Sequence, residues 1–413
     1  MPRADTVRDH SLVENDLPEP EAPTAPPGIL IHIILDAFTG PAGIPRDLPG
    51  GEALDAEIRE RLVSRGFRLQ PEAIAEYAAS RSSISGILNF EAGPRPEKRF
   101  HGKRPYVLDE NAYFEILRDR GFAIHVHQST YLDFCSRSPV PLASCFTYRL
   151  DGTDWLRGDA LPGREKLAVL LGMYLNLPGF FEWMGKTRVR LRDKARRIGF
   201  DLPEPIEWDG TVAPIAAMVS FARFRDSVLA APPGTAHFAH LLLPHSPYVH
   251  DENCQLRERP LQWRSSHPLY QKDNSPEGRR ERYALYFGQA TCALRMLEPL
   301  FDQLKADGRW AETEIILHGD HGSRIFEVAP RSGNRDALGP RDLRDAFNTL
   351  FAVKFPDTED RETDLEATLP VSRLLARIMG VDPGKDVGDA EPTVYLEGED
   401  DEPWAALPWP NAH

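Results

Sequence analysis

The chain has 413 residues, 41% of them hydrophobic, with a net charge of −14. That length supports a sizeable core in one large or two smaller α/β units. The acidic balance argues against a nucleic acid or an anionic membrane surface as partner. Residues 1–28 are charged and proline-rich, with no apolar stretch of the secretory kind, and read as a disordered arm. Nowhere does the chain reach the roughly 18–20 consecutive apolar residues that cross a bilayer. These features point to a cytoplasmic product. A periplasmic or membrane-associated setting, with a missing upstream anchor or a separate membrane-anchored partner, is the alternative.

Composition changes at Ile29. Residues 29–35 (ILIHIIL) form an apolar run that ends in Asp36. A run apolar on both faces is the pattern of a central strand in a mostly parallel sheet. Three more follow: 122–127 (FAIHVH), 237–243 (HFAHLLL) and 314–317 (EIIL). Each empties into polar residues at its C-terminal end, the edge where open α/β sheets bind ligands. Helical patterns fill the intervals at 53–65, 71–79, 83–90, 110–120, 164–185, 212–230, 281–305 and 341–352. The alternation predicts a three-layer α/β/α sandwich with a mostly parallel central sheet spanning 29–398. An acidic, loose tail follows over 399–413. Cys135 and Cys145 are close enough to bridge in an oxidising compartment, but the chain lacks a disulfide framework and free thiols are the expectation for all four cysteines.

Four constellations can carry chemistry. His-Gly-Asp-His-Gly at 318–322 places Asp320 and His321 side by side at a strand end, where Gly319 and Gly322 permit a turn that aims both at one cation. Carboxylate oxygen and imidazole nitrogen suit Zn or Mn, with Mg or Ca also open. A solvated turn is the plainer alternative. Asp36, directly after a buried strand, must be hydrated, paired or metal-bound, and a helix cap would also satisfy it. In HFAHLLLPHSPYVHD, His240 falls inside the strand and reads as a packed, hydrogen-bonded histidine. His245 follows Pro244 at the strand end and is the site candidate, with His250 and Asp251 as alternatives. Last comes the serine cluster Ser80-Arg81-Ser82-Ser83-Ile84-Ser85 ahead of an apolar segment. A hydroxyl at a helix start can be a nucleophile, beside amides that favour a phosphate or sulfate. Ordinary helix capping explains the same residues.

In this order the pieces resemble the sulfatase-like branch of the alkaline phosphatase superfamily, akin to the catalytic domains of phosphoethanolamine and phosphoglycerol transferases. Asp36 in HIILDAFTG is similar to the family's acidic ligand after its first strand. SRSSISGILNF is similar to the segment whose nucleophile lies three residues before an S-[IV]-P triplet. Ser83-Ile84-Ser85 takes the triplet's place, with Ser85 for its proline, so Ser80 falls at the nucleophile position. His245 in LLPHSPY is similar to the family's PHxPY-like segment, and Asp320-His321 to its DHG motif.

The resemblance implies one divalent metal held by Asp36, Ser80, Asp320 and His321. It implies Ser80 as nucleophile, His245 at the transferred or leaving group, and Arg324 neutralising anionic charge. Lys354 is a weaker version of the last role. No histidine lies between His321 and His413, which favours a single metal. No C/S-x-P-x-R segment occurs, so formylglycine chemistry is not expected. The implied activity is phosphoester hydrolysis or phospho-group transfer on an anionic ester, free or linked to lipid or glycan. A serine-based sulfatase, or a non-catalytic binding relative, is the alternative.

Overall fold

A computed structural model describes residues 28–94, 96–102, 105–150, 213–257, 274–357, 368–381, 391–398 and 403–409, with isolated positions 163, 166, 167 and 194. Residues 1–27 of the predicted arm (1–28) and the predicted helix at 164–185 lie outside the described residues, apart from those isolated positions. The first half runs β1 (Ile29–Leu35), α1 (Gly51–Val63), β2 (Arg68–Leu69), α2 (Ser80–Asn89), β3 (Phe100–His101), β4 (Tyr106–Leu108), α3 (Ala112–Asp119), β5 (Ala123–Ser129), β6 (Leu132–Asp133) and β7 (Ser144–Tyr148). The second half runs α4 (Ala213–Ala230), β8 (Thr235–Leu241), α5 (Pro276–Ala306), β9 (Thr313–Gly319), α6 (Pro340–Phe347), β10 (Phe351–Lys354), α7 (Val371–Ile378), β11 (Thr393–Leu396) and β12 (Ala405–Pro408).

A seven-stranded sheet with the order β2-β10-β9-β1-β8-β5-β7 forms the centre. β1, β5, β7, β8 and β9 are parallel, and β10 runs antiparallel to β9 and β2. Alternate residues of β1 enter two different cores. Ile31, Ile33 and Leu35 pack with Leu54, Ile58 and Leu62 of α1 and with apolar residues of α4 and α5. Leu30 and Ile34 pack on the opposite face with Ile84, Ile87 and Leu88 of α2 and with residues of α3 and α7. This double burial is why the run shows no polar alternation. The three-layer sandwich with a mostly parallel sheet is therefore the observed architecture.

Three elements depart from expectation. Residues 71–79 are not helical: Ile74 bridges to both Asn348 and Pro370, and the Ala75 amide donates to the Phe347 carbonyl at 2.7 Å. Tertiary pairing there overrides the helical bias of Ala73, Ala75, Ala78 and Ala79. The predicted helix 341–352 stops at Phe347, because Phe351–Lys354 pairs with β9 as a strand. Within the supposed loose tail, β12 pairs with β11, and Trp409 is buried against Phe347. The cysteines differ as well. Cys135 pairs with Cys145 and Cys254 with Cys292, so all four are joined. The second bridge links residues 38 apart in sequence, which composition alone could not pair. Among the described residues no helix is long and apolar enough to cross a membrane.

Candidate metal centre and nucleophile

Three neighbouring strands end at one edge. In the register, Leu35 of β1 lies beside Leu241 of β8 and Gly319 of β9. The chain beyond each strand thus delivers its next residues to a common point, and the Asp36 amide donates to the Leu241 carbonyl at 2.9 Å. Asp36, His240, Asp320 and His321 meet there, all fully buried. One ligand atom each from Asp36, His240 and Asp320 lies within 4.8 Å of the other two.

Backbone contacts aim each group. Asp320 Oδ1 accepts from the amides of Ala37 (2.8 Å) and His321 (3.0 Å), which turns Oδ2 into the site. Ala37 reaches its position with a left-handed φ of 64°. His321 Nδ1–H donates to the Gly322 carbonyl at 2.9 Å, so its Nε2 turns a lone pair into the space it shares with Asp36 Oδ1 (3.8 Å) and Asp320 Oδ2 (3.5 Å). Glycine at 319 and 322 has a concrete cause: a Cβ at Gly319 would meet the Phe38 carbonyl oxygen at 2.5 Å, and one at Gly322 the Asp345 carbonyl oxygen at 2.3 Å.

Ser80 is the first residue of α2, after Ala79 in extended conformation. Its Oγ lies 3.2 Å from both Asp36 Oδ2 and His321 Nε2. Ser83, one turn later, bonds the Asp320 carbonyl and ties the helix start to the DHG segment. The serine picked out by the imperfect triplet thus lies against Asp36 and His321. Ser85 is engaged elsewhere, with the Pro96 carbonyl at 2.9 Å.

Electrostatics agree with a charge-binding centre. Burial opposes ionisation of Asp36. The charge of His245, the hydrogen bond from His240 and the charges of His321 and His240 outweigh it and hold the carboxyl well below the usual carboxylate range. Burial pulls His321 below the usual imidazole range, with the pull of Asp320 opposing it, Arg324 adding to it and Asp36 opposing it again. A neutral imidazole with a free Nε2 is the form that ligates a metal.

The donor set fits a divalent cation. Asp36 Oδ1 and Asp320 Oδ2 are buried without a hydrogen-bond partner. Two such oxygens are costly unless a cation faces them. Ligands about 2.0–2.1 Å from one tetrahedral zinc would stand about 3.3 Å apart, comparable with the 3.5 and 3.8 Å separations from His321 Nε2.

The remaining predicted residues divide. His245 is half-buried on the segment after β8, with Nδ1 bonded to the Ser246 carbonyl at 2.6 Å, and its charge reaches Asp36. Arg324 has a left-handed φ of 62°, its amide donates to the Asp345 carbonyl at 3.0 Å, and its Nε is buried without a partner. Lys354 sits away from the site: its Nζ bonds the carbonyls of Trp310 and Thr313, where β9 begins. Asp251 closes a local turn by accepting from the amides of Asn253 and Gln255. His240, read as a packed, hydrogen-bonded histidine, is buried and hydrogen-bonded, but its partner is Asp36 and it stands among the site residues. The expected strand ran to residue 243, which put His240 in its interior. β8 ends at Leu241, so His240 is at the edge, with Nε2 3.2 Å from Asp36 Oδ2.

No protein-family model matches the chain, and no curated protein matches its sequence. Solved structures do match in fold. The C-terminal periplasmic domain of EcEptC from Escherichia coli, in complex with Zn, is similar over 95% of this chain and 94% of that one, with 10% identity and a TM-score of 0.52. A second structure of that domain gives 11% identity over the same shares and a TM-score of 0.51. The phosphonate monoester hydrolase of Agrobacterium radiobacter aligns over 90% of this chain and 80% of that one, with 16% identity and a TM-score of 0.48. The chain thus shares its fold with that periplasmic domain over nearly the whole length of both.

Proposed function

We propose that the chain is a metal-dependent phosphoester hydrolase or phospho-group transferase in which Ser80 is the nucleophile. The observation that carries the reading is the double contact of Ser80 Oγ, 3.2 Å from Asp36 Oδ2 and 3.2 Å from His321 Nε2, at the first residue of a helix. Asp36, Asp320 and His321 would hold one cation, with Ser80 Oγ and His240 beside it. Zn or Mn suits this oxygen and nitrogen set, and the fold neighbour from Escherichia coli is described with Zn. A divalent cation bound there lowers the pKa of the adjacent hydroxyl and neutralises charge on the ester oxygens.

The protein's own groups do the rest. Ser80 Oγ–H donates to Asp36 Oδ2 in the resting site; as Oγ bonds to phosphorus its proton passes to solvent, from which Ser80 recovers one when it leaves. The bond from phosphorus to the leaving alcohol breaks, and that oxygen takes the Nε2 proton of the His245 imidazolium. His245, now neutral, accepts a proton from the incoming water or acceptor alcohol. That oxygen bonds to phosphorus, and the Ser80 oxygen leaves with its proton restored. Arg324, with Nε unpaired beside His321, neutralises charge on the phosphoryl oxygens. The free amides at the start of α2 favour the same anion.

The two disulfides support maturation in an oxidising compartment, the periplasmic rather than the cytoplasmic expectation. The test is turnover by zinc- or manganese-loaded protein of 4-nitrophenyl phosphate, bis(4-nitrophenyl) phosphate and 4-nitrophenyl sulfate. Phosphoester turnover that a chelator abolishes supports the proposal. Turnover of the sulfate alone, or of none of the three with metal bound stoichiometrically, overturns it.

A further inference from the structure

Gln289 is fully buried in the middle of α5, and one side chain serves the whole segment that carries His245. Its Oε1 accepts from the amides of Val249 (2.7 Å) and His250 (3.0 Å). Its Nε2 donates to the carbonyls of Pro244 (3.0 Å) and His245 (2.8 Å), with the Pro247 carbonyl at 3.3 Å. A primary amide has two donors and one two-lone-pair acceptor, so Gln289 is saturated, and the two amide donors fix which end is oxygen. The segment needs such a partner because it leaves the sheet at Leu241 and its prolines carry no N–H.

Two neighbours on α5 extend the arrangement. Tyr286, three residues earlier, donates from its hydroxyl to the Ala37 carbonyl (2.9 Å) and accepts from the Thr39 amide (2.8 Å), holding the turn after Asp36. Cys292, three residues later, is bridged to Cys254 at the far end of the His245 segment. Positions 286, 289 and 292 follow one another along one side of the helix. One rigid element thus sets the Asp36 turn and the His245 segment relative to each other.

We propose that Gln289 is a positioning residue that fixes His245 against the metal centre, with Tyr286 doing the same for the Asp36 turn. The inference rests on the reading of His245 as proton donor to the leaving group, and it makes a prediction that loss of general stability does not. A 4-nitrophenolate leaving group needs little protonation, whereas an alkoxide needs it strongly. Misplacing His245 therefore penalises alkyl esters selectively.

The experiment compares zinc-loaded wild type, Gln289→Leu, His245→Ala and Tyr286→Phe. It measures kcat on 4-nitrophenyl and methyl phosphate, zinc affinity, and amide exchange over residues 244–250. Gln289→Leu is expected to keep wild-type zinc affinity, because Asp36, Asp320 and His321 lie outside the segment. Its loop amides exchange at least about tenfold faster. Its kcat falls about 10–100-fold on methyl phosphate and only a few-fold on 4-nitrophenyl phosphate, as in His245→Ala. Tyr286→Phe instead weakens zinc about tenfold or more. Should Gln289→Leu not fold, Gln289→Glu retains the acceptor for Val249 and His250 and loses the donors to the carbonyls, and it is judged by the same readings.

Unchanged exchange over 244–250, or equal losses on both esters, overturns the proposal. Wild type that turns over neither ester overturns the functional reading instead, and the exchange rates then decide for or against Gln289 by themselves.

Discussion

Asp320→Asn separates the two jobs of one carboxylate. Oδ1 accepts two backbone amides, at 2.8 and 3.0 Å, and an asparagine carbonyl can keep both. Oδ2 is buried and unpartnered, 3.5 Å from His321 Nε2, and asparagine places an NH₂ there that can donate to that nitrogen. An unsatisfied buried polar atom costs about 1–3 kcal/mol. The metal-free variant should therefore be more stable than metal-free wild type by about that amount. At about 1 °C per kcal/mol for a chain of this size, the midpoint rises by about 1–3 °C.

Zinc reverses the order. At one hundred times its Kd a ligand contributes about 2.7 kcal/mol, or about 3 °C, to wild type and little to the variant. Calorimetry with chelator and then with zinc reads both effects. A crossing of the two midpoints is expected. A variant less stable than wild type under both conditions, or one stabilised by zinc as much as wild type, refutes the assignment of Oδ2 to the cation.

Further outcomes follow from other contacts. Ser80→Ala should retain metal content and lose turnover by about 10³-fold or more, read by metal analysis and steady-state kinetics on one preparation. Burial, aided by Arg223, holds His127 down to about 3, and burial, aided by His125 and Arg309, does the same for His237. Both are neutral when folded and protonate below about 6.5 when unfolded. Their contribution is complete above about pH 6.5 and is lost as pH falls from there toward 3, by up to about 1.4 kcal/mol per pH unit for each. Urea midpoints from pH 8 to 4 test this, and His127→Phe should flatten the acid limb. Thiol titration of the denatured, unreduced protein should find no free cysteine, and reduction should lower stability by about 2–4 kcal/mol.

The parts of the fold legible in the sequence were those where one local pattern decided the outcome. β1 and β9 are apolar because both faces are covered, so their ends, and with them Asp36 and Asp320-His321, could be read directly. The end of β8 could not. HFAHLLLP stays apolar for two residues beyond the last paired position, since Leu242 and Leu243 bury in the loop that follows. That hid His240. Residues 71–79 depend on partners far away in sequence, Asn348 and Pro370, and Trp409 on Phe347. No local signal reports such pairing. The start of α5 lay upstream of the predicted position, at Ser275 and Pro276, because the charged GRRER stretch carries little apolar periodicity although Ser275 caps it.

The central claim is that Ser80, among the four serines at 80, 82, 83 and 85, takes the phosphoryl group. Trypsin cleavage after Arg68 and Arg81 isolates residues 69–81, in which Ser80 is the sole serine, while the other three fall in the next peptide. Zinc-loaded protein quenched in acid during turnover of 4-nitrophenyl phosphate should yield the 69–81 peptide carrying one added phosphoryl group on Ser80. A phosphoryl group on the following peptide, or steady turnover with no modified peptide at any quench time, contradicts the account.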